Sequence, residues 1–214
     1  MAKLSGPMLP PQSGGAAKQA VVLLHGYGAD GSDLISLGHH WGQLLPDALF
    51  VSPNAPSPAA GNPFGFQWFA LQVDRIAGRI EGAKQAAPVL VEFLEDLWRQ
   101  SGLAAADTYL VGFSQGAMMA LHVGTVLPGP LRGIVAFSGA FVPADSFPAG
   151  DKPPVALIHG ELDQVVDPQL SLEAADTLAA AGYDVTLHIS RGVAHGIAPD
   201  GLDFATAFLL AQSN

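Results

Sequence analysis

Gly112-Phe113-Ser114-Gln115-Gly116 sets a serine between two glycines, after the short apolar run Tyr109–Val111 and before the helix-forming run Ala117–Leu121. A serine hydroxyl is a weak nucleophile until a neighbouring base activates it. On a sharp strand-to-helix turn its side chain is pushed clear of the backbone, and the flanking glycines let strand and helix approach closely around it. The new helix then aims its free first N–H groups at the place where an oxyanion would form. Ser114 is therefore the candidate nucleophile for acyl transfer. A chain with 25 glycines produces such a pattern by composition alone often enough that its weight rests on partners elsewhere.

A serine nucleophile needs a base to take its proton and an acid to orient that base. In α/β-hydrolases these follow in the order serine, acid, histidine, each after a later strand. The strand-like run Val155–His159 leads into H-G-E-L-D-Q-V-V-D-P, and Val185–Ser190 leads into R-G-V-A-H-G-I. His195 is the candidate base and Asp163 the favoured acid. Glu161 and Asp167 share the acid's loop. Asp167 precedes Pro168 in the pattern of a helix cap, and Glu161 lies very close to the strand end. His39 and His40 are helix neighbours that point in different directions, His122 falls on a helix and His188 in a strand. With no cysteine and no H-E-x-x-H, neither a metal site nor a cysteine nucleophile is expected.

A rival motif follows the run Val21–His25. Gly26-Tyr27-Gly28-Ala29-Asp30-Gly31 is a literal G-x-G-x-x-G between strand and helix, the form of a dinucleotide-binding turn. That use requires an acid at the end of the next strand to hold the ribose. Ala48–Ser52 is followed by Pro-Asn-Ala-Pro, and Asp47 stands at the wrong end. In a hydrolase the same glycines let the loop supply an oxyanion N–H by close backbone approach.

These residues must be carried by alternating elements. Strands are expected at Ala20–His25, Ala48–Ser52, Thr108–Phe113, Gly133–Ser138, Val155–His159 and Val185–Ser190. Helices are expected at Asp33–Leu44, Ile80–Gln100, Gln115–Val126, Pro168–Ala181 and Gly201–Ala211. The fold class is α/β: a mostly parallel central sheet with helices on both faces and no large cap domain. Residues 1–214 read as one domain with an irregular lead-in over 1–18, and residues 53–80 read as a long loop near the active face. A net charge of −10 disfavours nucleic acid and anionic membrane surfaces as partners. No apolar run suits membrane insertion and no signal-like segment opens the chain, so a cytoplasmic location is expected.

The segments LLHGYGADGSDL, GFSQGAMMAL, SGAF, HGELDQVV and GVAHGI, spread from about residue 20 to the end of the chain, resemble the phospholipase/carboxylesterase family, which includes acyl-protein thioesterases. The resemblance implies Ser114, Asp163 and His195 as the triad and the backbone N–H groups of Tyr27 and Gln115 as oxyanion donors. It implies no cofactor, a small-molecule ester substrate and a homodimer as the plausible assembly. Tyr27 stands where relatives often have leucine. Trp68-Phe69 matches the family's aromatic loop, although Ala70-Leu71 follows where an aspartate is usual. Candidates for an apolar acyl site are Trp68, Phe69, Leu71, Phe141, Val165 and Ile197, with Phe64 and Phe66 behind them. The implied activity is a carboxylesterase, with a thioesterase or lysophospholipase on the same triad as the alternative, and a small chain without a cap leads to the expectation of an accessible cleft for short-to-medium acyl esters.

Overall fold

Strands whose residues are apolar on both faces can sit only in the middle of a covered sheet. Four runs here are of that kind. All residues of β2 (Gln19–Leu24) and β7 (Gly133–Phe137) are buried, as are nearly all of β6 (Thr108–Phe113) and all of β8 (Val155–Gly160). The computed structural model describes residues 4–72, 75–144 and 146–213. Residues 1–3 of the expected lead-in and 73–74 of the expected long loop lie outside the described residues, as do 145 and 214.

The strands join in one seven-stranded sheet of order β1-β3-β2-β6-β7-β8-β9, with β1 at Met8–Leu9, β3 at Ala48–Val51 and β9 at Val185–Ser190. Every pairing is parallel except that of β1, which runs antiparallel along β3. Alternation along β2 sends Val21 and Leu23 to one face and Val22 and Leu24 to the other. The first face packs on α1 (Gly31–Trp41) and α5 (Pro199–Ala211) around Trp41, Phe50, Tyr109 and Phe137. The second packs on α2 (Arg75–Ser101), α3 (Gln115–Gly124) and α4 (Gln169–Ala180) around Leu90, Leu94, Met119 and Leu178. The expected parallel sheet with helices on both faces is thus what forms.

The six expected strands and five expected helices recur, β6 and β9 with the expected bounds and the others with shifted ends. Helix α1 starts two residues earlier than expected because Asp30 caps it, its side chain accepting from the Ser32 N–H at 2.7 Å. The larger difference lies in residues 53–80. Instead of a plain loop, this stretch holds a separate hairpin of β4 (Ser57–Ala59) and β5 (Asn62–Gln67), turning at Gly61 with φ 77°. Pro58 and Pro63 read as strand breakers, yet each strand of a two-stranded ribbon is an edge, where a missing N–H costs little. Helix α2 likewise begins at Arg75, five residues ahead of expectation.

Candidate active site

Ser114 occupies the hinge between β6 and α3, with φ 54° and ψ −116°. That left-handed backbone is strained for any residue with a Cβ, and here the surroundings enforce it. Ser114 N–H donates to the Phe137 carbonyl at 2.9 Å, and the Met118 N–H returns to the Ser114 carbonyl at 3.1 Å. The flanking glycines make the close approach possible. A Cβ on Gly112 would lie 2.3 Å from the Gly116 oxygen, and one on Gly116 would lie 1.9 Å from the Leu24 oxygen. The second of these distances presses the start of α3 against the end of β2, so the segments after β2 and β6 meet.

The three residues expected to act together are brought together. His195 Nε2 lies 3.0 Å from Ser114 Oγ, and His195 Nδ1 lies 2.6 Å from Asp163 Oδ2. Asp163 Oδ1 accepts from the backbone N–H groups of Val165 and Val166 at 2.8 and 2.9 Å. Of the other acids in that loop, Glu161 Oε2 accepts from the Gly192 N–H and Asp167 Oδ1 from the Gln169 N–H, each at 2.9 Å. Only Asp163 of the three reaches His195. Burial pushes its carboxyl up, but the bonds from His195, Val166 and Val165 outweigh that and hold it below the usual carboxylate range.

Two N–H groups expected as oxyanion donors lie on the segments that meet at Ser114. Gln115 is the first residue of α3, so its N–H has no intrahelical acceptor. The loop after β2 is held by Gly28 N–H donating to the Phe66 carbonyl at 2.8 Å and Ala29 N–H donating to that of Gly26 at 3.3 Å. Among the described residues the Tyr27 N–H between them has no backbone acceptor. This loop carries the glycines that resemble a dinucleotide turn. Gly26 among them brings its backbone beside the serine, since a Cβ there would lie 3.4 Å from that of Ser114.

The proposed acyl-site residues divide by exposure. Leu71 and Val165 are 64% and 60% exposed, whereas Trp68 and Phe69 are buried at 3% and 7% among the core side chains. Phe141 is half-buried and stacks on Phe147, and Ile197 is half-buried against the α1/α5 face.

Two buried histidines beside the site escaped the sequence reading. His159, at 1% exposure, places Nε2 3.2 Å from Asp163 Oδ2 and 2.9 Å from the Val166 carbonyl, while Nδ1 meets Ser171 Oγ at 2.7 Å. The carbonyl can only accept, so Nε2 carries the proton and Ser171 donates to Nδ1. His25, fully buried, bonds the Gly26 carbonyl through Nδ1 at 2.7 Å and accepts the Ala55 N–H at Nε2 at 3.0 Å. Their shared signal was a strand-final His-Gly pair.

Burial lowers both rings below the ordinary histidine value of 6.5, so the folded protein holds them neutral. As pH falls below about 6.5 the unfolded chain binds these protons first, and stability falls with it. Asp163 adds a second loss at lower pH, because the stability from its depressed value is full only above about pH 4. The denaturant midpoint is expected to drop between pH 7.5 and 5.5 and again below pH 4. A flat profile from 7.5 to 5.5 would contradict neutral burial.

Comparison with known proteins places this geometry in a family. Residues 11–213 match the family model described as Phospholipase/Carboxylesterase. The chain is 36% identical over 191 residues to Esterase YpfH of Escherichia coli (strain K12), covering 88% of this chain and 81% of that protein. It is 29% identical over 213 residues to Acyl-protein thioesterase 1 of Saccharomyces cerevisiae, covering 90% and 92%. Among solved structures, that of esterase PE8 superposes with a TM-score of 0.93 at 57% identity, covering 97% of this chain and 98% of that one. The match spans the sheet, the elbow and both loops that carry the acid and the histidine, and the chain belongs to the phospholipase/carboxylesterase family of α/β-hydrolases, as an ester hydrolase.

Proposed function

We propose that this protein is a serine carboxylesterase that cleaves short-to-medium acyl esters of small molecules through Ser114, His195 and Asp163. The observation that carries the reading is the continuous hydrogen-bond chain from Ser114 Oγ through His195 to Asp163, beside the N–H groups of Gln115 and Tyr27. His195 Nε2 takes the hydroxyl proton as Ser114 Oγ attacks the ester carbonyl. Asp163 holds the imidazole with its proton on Nδ1 and balances the positive charge that develops. The two backbone N–H groups meet the oxyanion, each worth about 3 kcal/mol of barrier by analogy with known oxyanion donors. His195 then gives its proton to the departing alkoxide, leaving the acyl group on Ser114. Water, deprotonated by the same nitrogen, attacks this acyl-enzyme, and collapse returns the proton to Ser114 and releases the acid.

Exposed Leu71 and Val165 and half-buried Phe141 and Ile197 supply apolar surface for an acyl chain in an open cleft. Such a cleft offers limited depth, so kcat/KM over a series of p-nitrophenyl esters from acetyl to hexadecanoyl is expected to peak at short-to-medium length, with fluorophosphonate labelling mapped to the Ser114 peptide. A rate rising steadily to hexadecanoyl with monomeric substrate would overturn the chain-length reading, and absence of labelling the nucleophile. The relatives named acyl-protein thioesterase favour a second reading, in which the scissile bond is a thioester. Matched oxygen and sulfur esters rank the two.

A further inference from the structure

Trp68 is tied to both backbone segments that carry the candidate oxyanion donors. Its indole Nε1–H donates to the His25 carbonyl at 3.0 Å, two residues ahead of Tyr27. Its backbone N–H donates to the side-chain Oε1 of Gln115 at 2.8 Å. The same side chain donates from Nε2 to the Phe69 carbonyl, also at 2.8 Å, so Gln115 grips consecutive residues with both ends of its amide. Trp68 and Gln115 are each 3% exposed. The β5 strand that leads into Trp68 is in turn paired with the loop after β2. Gly28 N–H donates to the Phe66 carbonyl at 2.8 Å and Phe66 N–H to that of Ala29 at 2.7 Å. Asn62 Nδ2 adds a bond to the Gly28 carbonyl at 2.9 Å.

The result is a continuous chain of bonds from the α3 start through the Gln115 side chain, Trp68 and His25 to the loop of Tyr27, closed into a circuit by the close contact of Gly116 with Leu24. Two oxyanion donors help only if both converge on the same point before the charge arrives. Direct contact at Gly116 brings the two segments together but leaves the Tyr27 loop able to pivot about it. A buried amide bonded at both ends resists that pivot, because any change of spacing would strand polar groups away from water.

We propose that the Gln115 side chain is a positioning residue which, through Trp68, fixes the spacing of the Tyr27 and Gln115 backbone N–H groups. This rests on the acyl-transfer reading above. It gives the elbow glutamine a task separate from its own N–H and makes Trp68 a strut between the donors, where the aromatic pair was expected to line an acyl site.

The test cuts the circuit at either end. Gln115→Met keeps the side-chain length and removes both bonds, and Trp68→Phe keeps a ring and removes the bond to His25. With p-nitrophenyl acetate and hexanoate, each variant is expected to lower kcat about tenfold with KM moved less than about threefold. The double variant should lose no more than about twentyfold, since both changes break one circuit. Losses that multiply to about a hundredfold, or that fall on KM for the hexanoate alone, would overturn the proposal. Hydrogen exchange supplies a readout free of catalysis. The Gly28 amide should exchange at least about tenfold faster in both single variants, while the Ala120 and Leu121 amides inside α3 stay protected. An unchanged Gly28 amide overturns the proposal. If Gln115→Met does not accumulate folded, Trp68→Phe carries both measurements. Failure of the unaltered protein to label at Ser114 would bring down the acyl-transfer reading alone, and the exchange rates would still judge the strut.

Discussion

Replacing Ser114 with alanine is expected to cut ester turnover by about six orders of magnitude, the scale seen when the nucleophile of a serine hydrolase triad is removed. Almost none of that loss should come from unfolding. Among the described residues the Ser114 hydroxyl bonds His195 Nε2, on a side chain that is 18% exposed, so water can replace the missing oxygen. Alanine meets the same left-handed backbone that serine already occupies, and the denaturation free energy should change by less than about 1 kcal/mol. What survives is the proposed pair of N–H donors and the proposed acyl site, enough for slow attack by water. The check is kcat for p-nitrophenyl acetate alongside fluorophosphonate titration, which excludes carry-over of unaltered enzyme. Turnover near the original value in folded Ser114→Ala protein would remove Ser114 from the mechanism.

Asp163→Asn is expected to cost about 10⁴ in kcat, because an amide at this position forces the wrong histidine tautomer. Each carboxylate oxygen faces donors: Oδ1 the N–H groups of Val165 and Val166, Oδ2 the nitrogens of His195 and His159. An asparagine that keeps its oxygen on the two amides must turn its NH2 toward both rings. His195 Nδ1 then becomes an acceptor, its proton moves to Nε2, and nothing remains to take the proton of Ser114. His159 has no such freedom, since the Val166 carbonyl keeps a proton on its Nε2. The NH2 would oppose that N–H, and a measurable fall in denaturation midpoint should accompany the loss of rate. Asp167→Asn is the contrast, because asparagine caps a helix about as well as aspartate. Its kcat should stay within about threefold. Equal and mild effects of the two substitutions would leave Asp163 without its assigned task.

The difference between these two aspartates shows where a sequence stops being readable. Strands, helices and their order followed from long apolar runs and caps, and the order of Ser114, Asp163 and His195 followed from the turns between them. Three acids in one loop are another matter. Their fates depend on which backbone N–H groups lie within reach, and those come partly from a different strand: Glu161 finds Gly192, 31 residues on in the chain but just past the end of the neighbouring strand β9. The hairpin at residues 57–67 was hidden because its prolines sit where a ribbon tolerates them. The aromatic pair Trp68-Phe69 was legible as important but not as buried, since the same residue types suit a binding wall and a packed strut. His25 and His159 left only the repeated His-Gly signature, and their work consists of holding backbone and a carboxylate, which no spacing rule predicts.

The strand order β1-β3-β2-β6-β7-β8-β9 has a consequence for how such a centre arises at all. From β2 the chain leaves through α1 toward one face of the sheet, and from β6, its immediate neighbour, through α3 toward the other. Between the carboxyl ends of these two strands no helix can lie across, and the chain's own winding opens a crevice there. Ser114 and the Tyr27 loop stand on its opposite banks. The cleft is therefore a by-product of topology before any side chain is chosen, and it exists without an added domain to enclose it. The short β4–β5 hairpin, inserted just beyond β3, pairs with the Tyr27 loop on one side of that crevice.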